Sequence, residues 1–135
     1  MTISAKDYSP SNFQIRNIRW TRERATEEAL DSHIGIMPID DSKMSKGKGG
    51  FKLIQYLSVA LPVAGSAVGI NNSIVTEDVG KKISGLESEQ WRDGLLDLAA
   101  DKEQWCRMSE NAMARWHKCY DYTYNFEFWD HLVHA

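Results

Sequence analysis

Residues 33–75 read HIGIMPIDDSKMSKGKGGFKLIQYLSVALPVAGSAVGINNSIV, and the order of residue types in this stretch decides the fold. HIGIMPI (33–39) is almost continuously apolar, which is what a strand buried on both faces of a parallel sheet needs. Asp40 to Gly50 is rich in Asp, Ser, Lys and Gly and reads as a loop. FKLIQYLSVA (51–60) then reads as a buried helix with apolar residues on most of its faces, residues 62–66 as a second strand, and Gly69 to Asn72 as a turn. Strand, helix and strand in that order make a parallel pair joined by a crossover helix, with 33–38 and 62–66 as the central strands.

The same pattern extends outward. FQIRNIRW (13–20) alternates loosely as a short strand, and Thr21 is placed to cap a helix over residues 22–30. Ile83, near Lys82, belongs to a last short strand. From Glu87 the chain turns helical. Trp91, Leu95, Leu98 and Ala99 share one helix face, Trp105, Met108, Ala112 and Trp116 share another, and Phe126 to Val133 forms a third apolar segment. The expected class is α/β, a Rossmann-like parallel sheet with flanking helices, and with further helices stacked at the C-terminal end.

A chain of 135 residues suits one core. Its 42% hydrophobic and 26% charged content are those of a globular domain, which argues against disorder. A net charge of −3 gives no reason to expect nucleic acid as a partner. Cys106 and Cys119 make neither a disulfide framework nor a CxxC metal knuckle. MTISAKDYSP lacks the basic and apolar regions of a signal peptide, and Leu57 to Ile70 is too short and too broken by Pro62 to span a bilayer. A cytoplasmic protein with reduced thiols is the expectation.

The chemistry lies in the loop after the first strand. N–H groups opening a helix are unsatisfied and attract anions. Gly47, Gly49 and Gly50 let the backbone come close to one, and Lys48 and Lys52 add charge beside it. Lys48 is followed by Gly49 where a Walker A loop requires Ser or Thr, and the spacing is not GxGxxG. On residue chemistry alone a solvated loop whose lysines serve solubility is the favoured reading of the segment.

Three pieces in order, HIGIMP (33–38), GKGGFKLIQYLSVALPVAGS (47–66) and VGINNSIV (68–75), resemble the donor-site signature of the family-4 (group 1) glycosyltransferases. The likeness covers roughly residues 18–120 and is most specific over 33–75. It implies the C-terminal, donor-binding domain of a GT-B fold. Residues 1–12 would be a polar lead-in, 13–120 a nucleotide-sugar-binding half-domain, and 121–135 an aromatic helical segment. It also implies a nucleotide-diphosphate-sugar substrate, with no cofactor and no metal, contacted by Gly47, Lys48, Gly49, Gly50, Phe51, Lys52, Gln55, Ser66 and Gly69.

The family's paired glutamates fall on Gly47 and Gln55 here, and the turn's usual Glu on Ser73. Gln55 still donates and accepts hydrogen bonds, as a ribose contact requires. Gly47 supplies no carboxylate. The family's opening strand and helix, with their diphosphate-holding Arg and Lys, and its acceptor domain have no counterpart before Phe13. The expectation is therefore a retaining transferase's donor-binding portion with no catalytic residue of its own. It would be incomplete alone and would partner an N-terminal acceptor-domain chain or a second copy. The alternative is a non-catalytic interaction module that kept the fold.

Other constellations are weaker. His131 and His134 share a helix face but lack further ligands, Asp40 and Asp41 read as solvated turn formers, and Trp20, Trp91, Trp105, Trp116 and Trp129 read as packing.

Overall fold

The structure is a computed structural model and describes residues 2–4 and 15–134. In chain order its elements are β1 (Thr2–Ser4), β2 (Asn17–Arg19), α1 (Arg22–Leu30), β3 (Gly35–Met37), α2 (Lys43–Lys46), α3 (Phe51–Leu57), β4 (Val63–Ser66), α4 (Asn71–Ile74), β5 (Gly80–Ile83), α5 (Ser88–Ala100), α6 (Lys102–Cys119) and α7 (Tyr122–His134). The architecture is mixed α/β. A three-stranded parallel sheet of order β3-β4-β5 carries flanking helices, an arrangement compatible with the Rossmann-like expectation.

β4 is the central strand, and all four of its residues are buried. On one face Val63 packs with Met37, Leu53, Leu57, Ile74, Val75, Val79 and Ala112 under α3 and α6. On the other, Ala64 packs with Ile83, Trp91 and Leu98 under α5. The sheet is therefore the middle of three layers. Two glycines set its spacing. A Cβ on Gly80 would lie 1.9 Å from Val63 O, and one on Gly35 would lie 2.3 Å from the Tyr56 ring.

β3 pairs in parallel with β4, Ile36 opposite Ala64, but it is the sheet's edge and not a central strand as its apolar run implied. Gly35 N–H donates to Pro62 O at 2.9 Å, so alternation along the strand turns the backbone groups of Ile36 to the open side. Its side chain is 44% exposed because α5 does not reach it. Pro38, which has no N–H to offer, is at home just past such an edge.

Other elements differ from their sequence expectations for local reasons. Thr2–Ser4, within the expected polar lead-in, is a strand paired in parallel with β2, and among the described residues 15–20 of the FQIRNIRW run the paired ones are Asn17–Arg19. Phe13 and Gln14 lie outside the described residues. Thr21 caps α1 as expected, accepting from Arg24 N–H at 3.2 Å. The expected loop 40–50 contains α2, whose start Ser42 caps by accepting from Ser45 N–H at 3.2 Å.

α3 ends at Leu57, three residues before the expected boundary. Ala60 adopts φ +58, while Ala60 N–H donates to Leu57 O and Leu61 N–H reaches back to Tyr56 O. This is a Schellman stop. Phe51, expected in a buried helix, is 70% exposed.

α6 braces the sheet from its amino-terminal end. Trp105 Nε1 donates to His33 O (2.7 Å), Ser109 Oγ to Ala60 O (2.7 Å) and Asn111 Nδ2 to Asp78 O (3.1 Å). Those carbonyls precede β3, β4 and β5 respectively. At the carboxyl ends α6 reaches the segment after β4, where Arg115 Nη2 donates to Ser73 O, and the loop after β3 is left open.

Candidate functional site

In open parallel sheets, ligands bind outside the carboxyl ends of the strands. Here the loop leaving β3 (residues 38–50) forms two adjoining clefts at that end. One, of about 450 Å³, is lined by Ile36, Met37, Lys48, Gly49, Phe51 and Lys52 together with Pro38, Ile39 and Gly50. The other, of about 420 Å³, lies beside it, shares Pro38, Ile39 and Lys48, and adds Asp40, Ser45 and Leu86.

The first cleft gathers five of the nine sequence-predicted residues: Lys48, Gly49, Gly50, Phe51 and Lys52. No described residue forms an ion pair with Lys48 or Lys52. The first-turn N–H groups of Phe51 and Lys52 likewise meet no acceptor among the described residues, since Gly50 O takes Leu53 and Ile54. An anion entering this cleft would find unpaired ammonium groups and backbone donors together.

The other four predicted residues stand apart from both clefts. Gln55 is half-buried one helical turn beyond Phe51 and Lys52. Gly47 closes α2, its N–H donating to Lys43 O, and an added Cβ would meet nothing nearer than Met44 O at 3.6 Å. Gly69 takes φ +54 and its backbone also lies against Lys46, an added Cβ falling 2.8 Å from Lys46 O. Ser66 is fully buried. Its Oγ accepts from Ile39 N–H at 2.9 Å, and its carbonyl accepts from Asn71 Nδ2 at 3.2 Å. Ser66 thus ties the ends of β3 and β4 to α4 beneath the clefts.

Asp40, read from the sequence as a solvated turn former, is exposed and does form such a turn, with one further bond. Asp40 Oδ1 accepts from Ser42 Oγ (2.7 Å), from Ser42 N–H (3.4 Å) and from the hydroxyl of buried Ser45. The Ser45 bond first, then those from Ser42, hold its carboxyl below the usual aspartate range, and Lys48 adds to the effect. The signal that points to it is D-x-S-x-x-S: an acceptor two and five residues ahead of serines around a short helix start. Asp41 instead pairs with Lys46 at 3.0 Å on the surface.

Among the described residues no cluster of three His, Cys, Asp or Glu could hold a metal ion, and no helix is long and apolar enough to cross a membrane. His134 lies against Asp130 on its own helix. Trp91 donates to Gly85 O and Trp105 to His33 O, so both serve packing, whereas Trp20 and Trp129 are 58% and 62% exposed. In comparison with known proteins, the chain matches no protein-family description and no curated protein.

Proposed function

We propose that this chain is the donor-holding portion of a retaining glycosyltransferase of the GT-B type. It seats a nucleotide sugar's diphosphate against Lys48, Lys52 and the backbone of Gly49 to Phe51. The observation that carries this reading is the convergence of those five residues on one cleft at the carboxyl end of β3. The volume, about 450 Å³, is within the range of small-molecule sites. The resemblance of residues 33–75 to the family-4 donor signature supplies the ligand class.

In transfer from such a donor the leaving diphosphate gathers negative charge. Unpaired ammonium groups and N–H donors stabilise that charge more in the transition state than in the ground state. No side chain of this chain is assigned a nucleophilic role. Among the described residues the clefts are lined by β3, its loop, the start of α3 and Leu86, and none of these is assigned to holding an acceptor. A partner chain with an acceptor domain, or a second copy, completes the site.

A second reading, an interaction module without turnover, draws on α7, in which no residue is buried and five aromatic side chains are more than half exposed. Titrating UDP-, GDP- and ADP-sugars into the protein tests the first reading. Binding of one of them, weakened about tenfold or more by Lys48→Ala through loss of a charge-assisted bond, is expected. Absence of binding by all three leaves the interaction module.

A further inference from the structure

We propose that Asp40 supplies the site's carboxylate, accepting hydrogen bonds in the second cleft from the hydroxyl groups of a polyol attached to the phosphate seated at Lys48 and Lys52. The inference rests on the phosphate reading of the first cleft and adds what recognises the rest of the ligand.

Its first support is position. The two clefts share Pro38, Ile39 and Lys48, so a group bonded to a phosphate beside Lys48 enters the second directly. The exposed walls there include Leu86 and Met44, and among the described residues Asp40 is the only carboxylate lining it.

The second support is how Asp40 is held. Oδ1 takes all three hydrogen bonds from Ser42 and Ser45, while no described residue bonds Oδ2. Ser45, only 5% exposed, commits its hydroxyl to this carboxylate. Capping α2 does not require the arrangement, because Ser42 Oγ already accepts from Ser45 N–H. The carboxylate is thus oriented through one oxygen and keeps the acceptor sites of the other for a ligand.

The third support is charge. Lys48 stands on the shared wall and would repel an ammonium group, so neutral hydroxyl donors are the complementary chemistry.

The test compares wild type with Asp40→Asn, which keeps an acceptor for the Ser42 and Ser45 bonds but replaces the free oxygen by a donor. Affinities are measured for the matched pairs UDP and UDP-glucose, GDP and GDP-mannose, and ADP and ADP-glucose. The expected result is unchanged affinity for the bare diphosphate, with the ratio of sugar to diphosphate affinity lowered roughly tenfold or more. Retained diphosphate binding also certifies that the variant is folded. An unchanged ratio overturns the role of Asp40 and leaves the phosphate seat standing. Loss of diphosphate affinity in the variant also overturns it, since Asp40 would then serve the phosphate seat. Failure of wild type to bind any of the six ligands removes the seat and Asp40 together.

Discussion

At Gly50, φ is +66 and an added Cβ would lie 2.2 Å from Ile74 Cδ1, whereas at Gly49 nothing lies within 4 Å. Gly50→Ala therefore combines a left-handed backbone penalty with overpacking, and should cost about 2–4 kcal/mol in denaturant unfolding. Gly49→Ala should melt close to wild type, so any loss of ligand affinity it causes reports close approach of a ligand to the backbone. A Gly49→Ala variant as destabilised as Gly50→Ala would show that the loop's openness is misdescribed. Both glycines were legible as part of a special loop, but which one the fold requires was not, because the clash comes from Ile74 in α4, far along the chain. For Asp40 the turn was legible, but its bond from Ser45 was not, because the burial of Ser45 is not visible in the sequence. The sign of its pH dependence is fixed by its lowered pKa. What the charged carboxylate contributes is complete above the ordinary aspartate range and is lost only as pH falls through the depressed value. The factor by which Asp40→Asn lowers affinity for the nucleotide sugar, a ligand whose phosphates do not titrate there, should thus be the same at pH 5 and pH 7. A decline already complete at pH 5 would assign it to another group.

Among the elements, α3 carries the clearest lesson. Its apolar residues run to Ala60, but the helix stops at Leu57 because Ala60 turns left-handed and buried Leu61 closes the Schellman bond to Tyr56 O. Glycine is the usual residue at such a stop, and its absence hid the boundary. Ala60→Gly should relieve the left-handed penalty, partly offset by a more flexible unfolded chain, for a net gain of about 0.5–1 kcal/mol in unfolding free energy. A destabilised variant would contradict this account of the helix stop. α5 and α6 were legible from apolar spacing alone, with Trp91, Leu98 and Ala112 buried as their faces require. β1 was not legible. TIS has no pattern of its own and is a strand through pairing with Asn17–Arg19. The position of β3 was hidden differently: an apolar run reports burial on two faces but says nothing of which edge is paired, and Ile36 sits at the open one.

For the molecule as a whole, the division of labour runs along the sheet. α6 fastens the amino-terminal ends of β3, β4 and β5 through His33 O, Ala60 O and Asp78 O, and the carboxyl ends carry both clefts. α7 contributes no buried residue, while Tyr122, Tyr124, Phe126, Phe128 and Trp129 face outward. Replacing Phe126 and Trp129 together by Ser should change unfolding free energy by no more than about 1 kcal/mol, as two exposed sites allow. It should also reduce self-association in light scattering. A large loss of stability would show that α7 is part of the core. The central claim, a phosphate seat at the β3 loop, is tested most directly by mapping backbone amide shifts as UDP-, GDP- and ADP-sugars are added. The account predicts that one of them shifts the amides of Lys48 to Lys52 most strongly, with Asp40 to Ser45 following and α7 unmoved. Shifts centred away from the β3 loop, or none with any of the three, would contradict it.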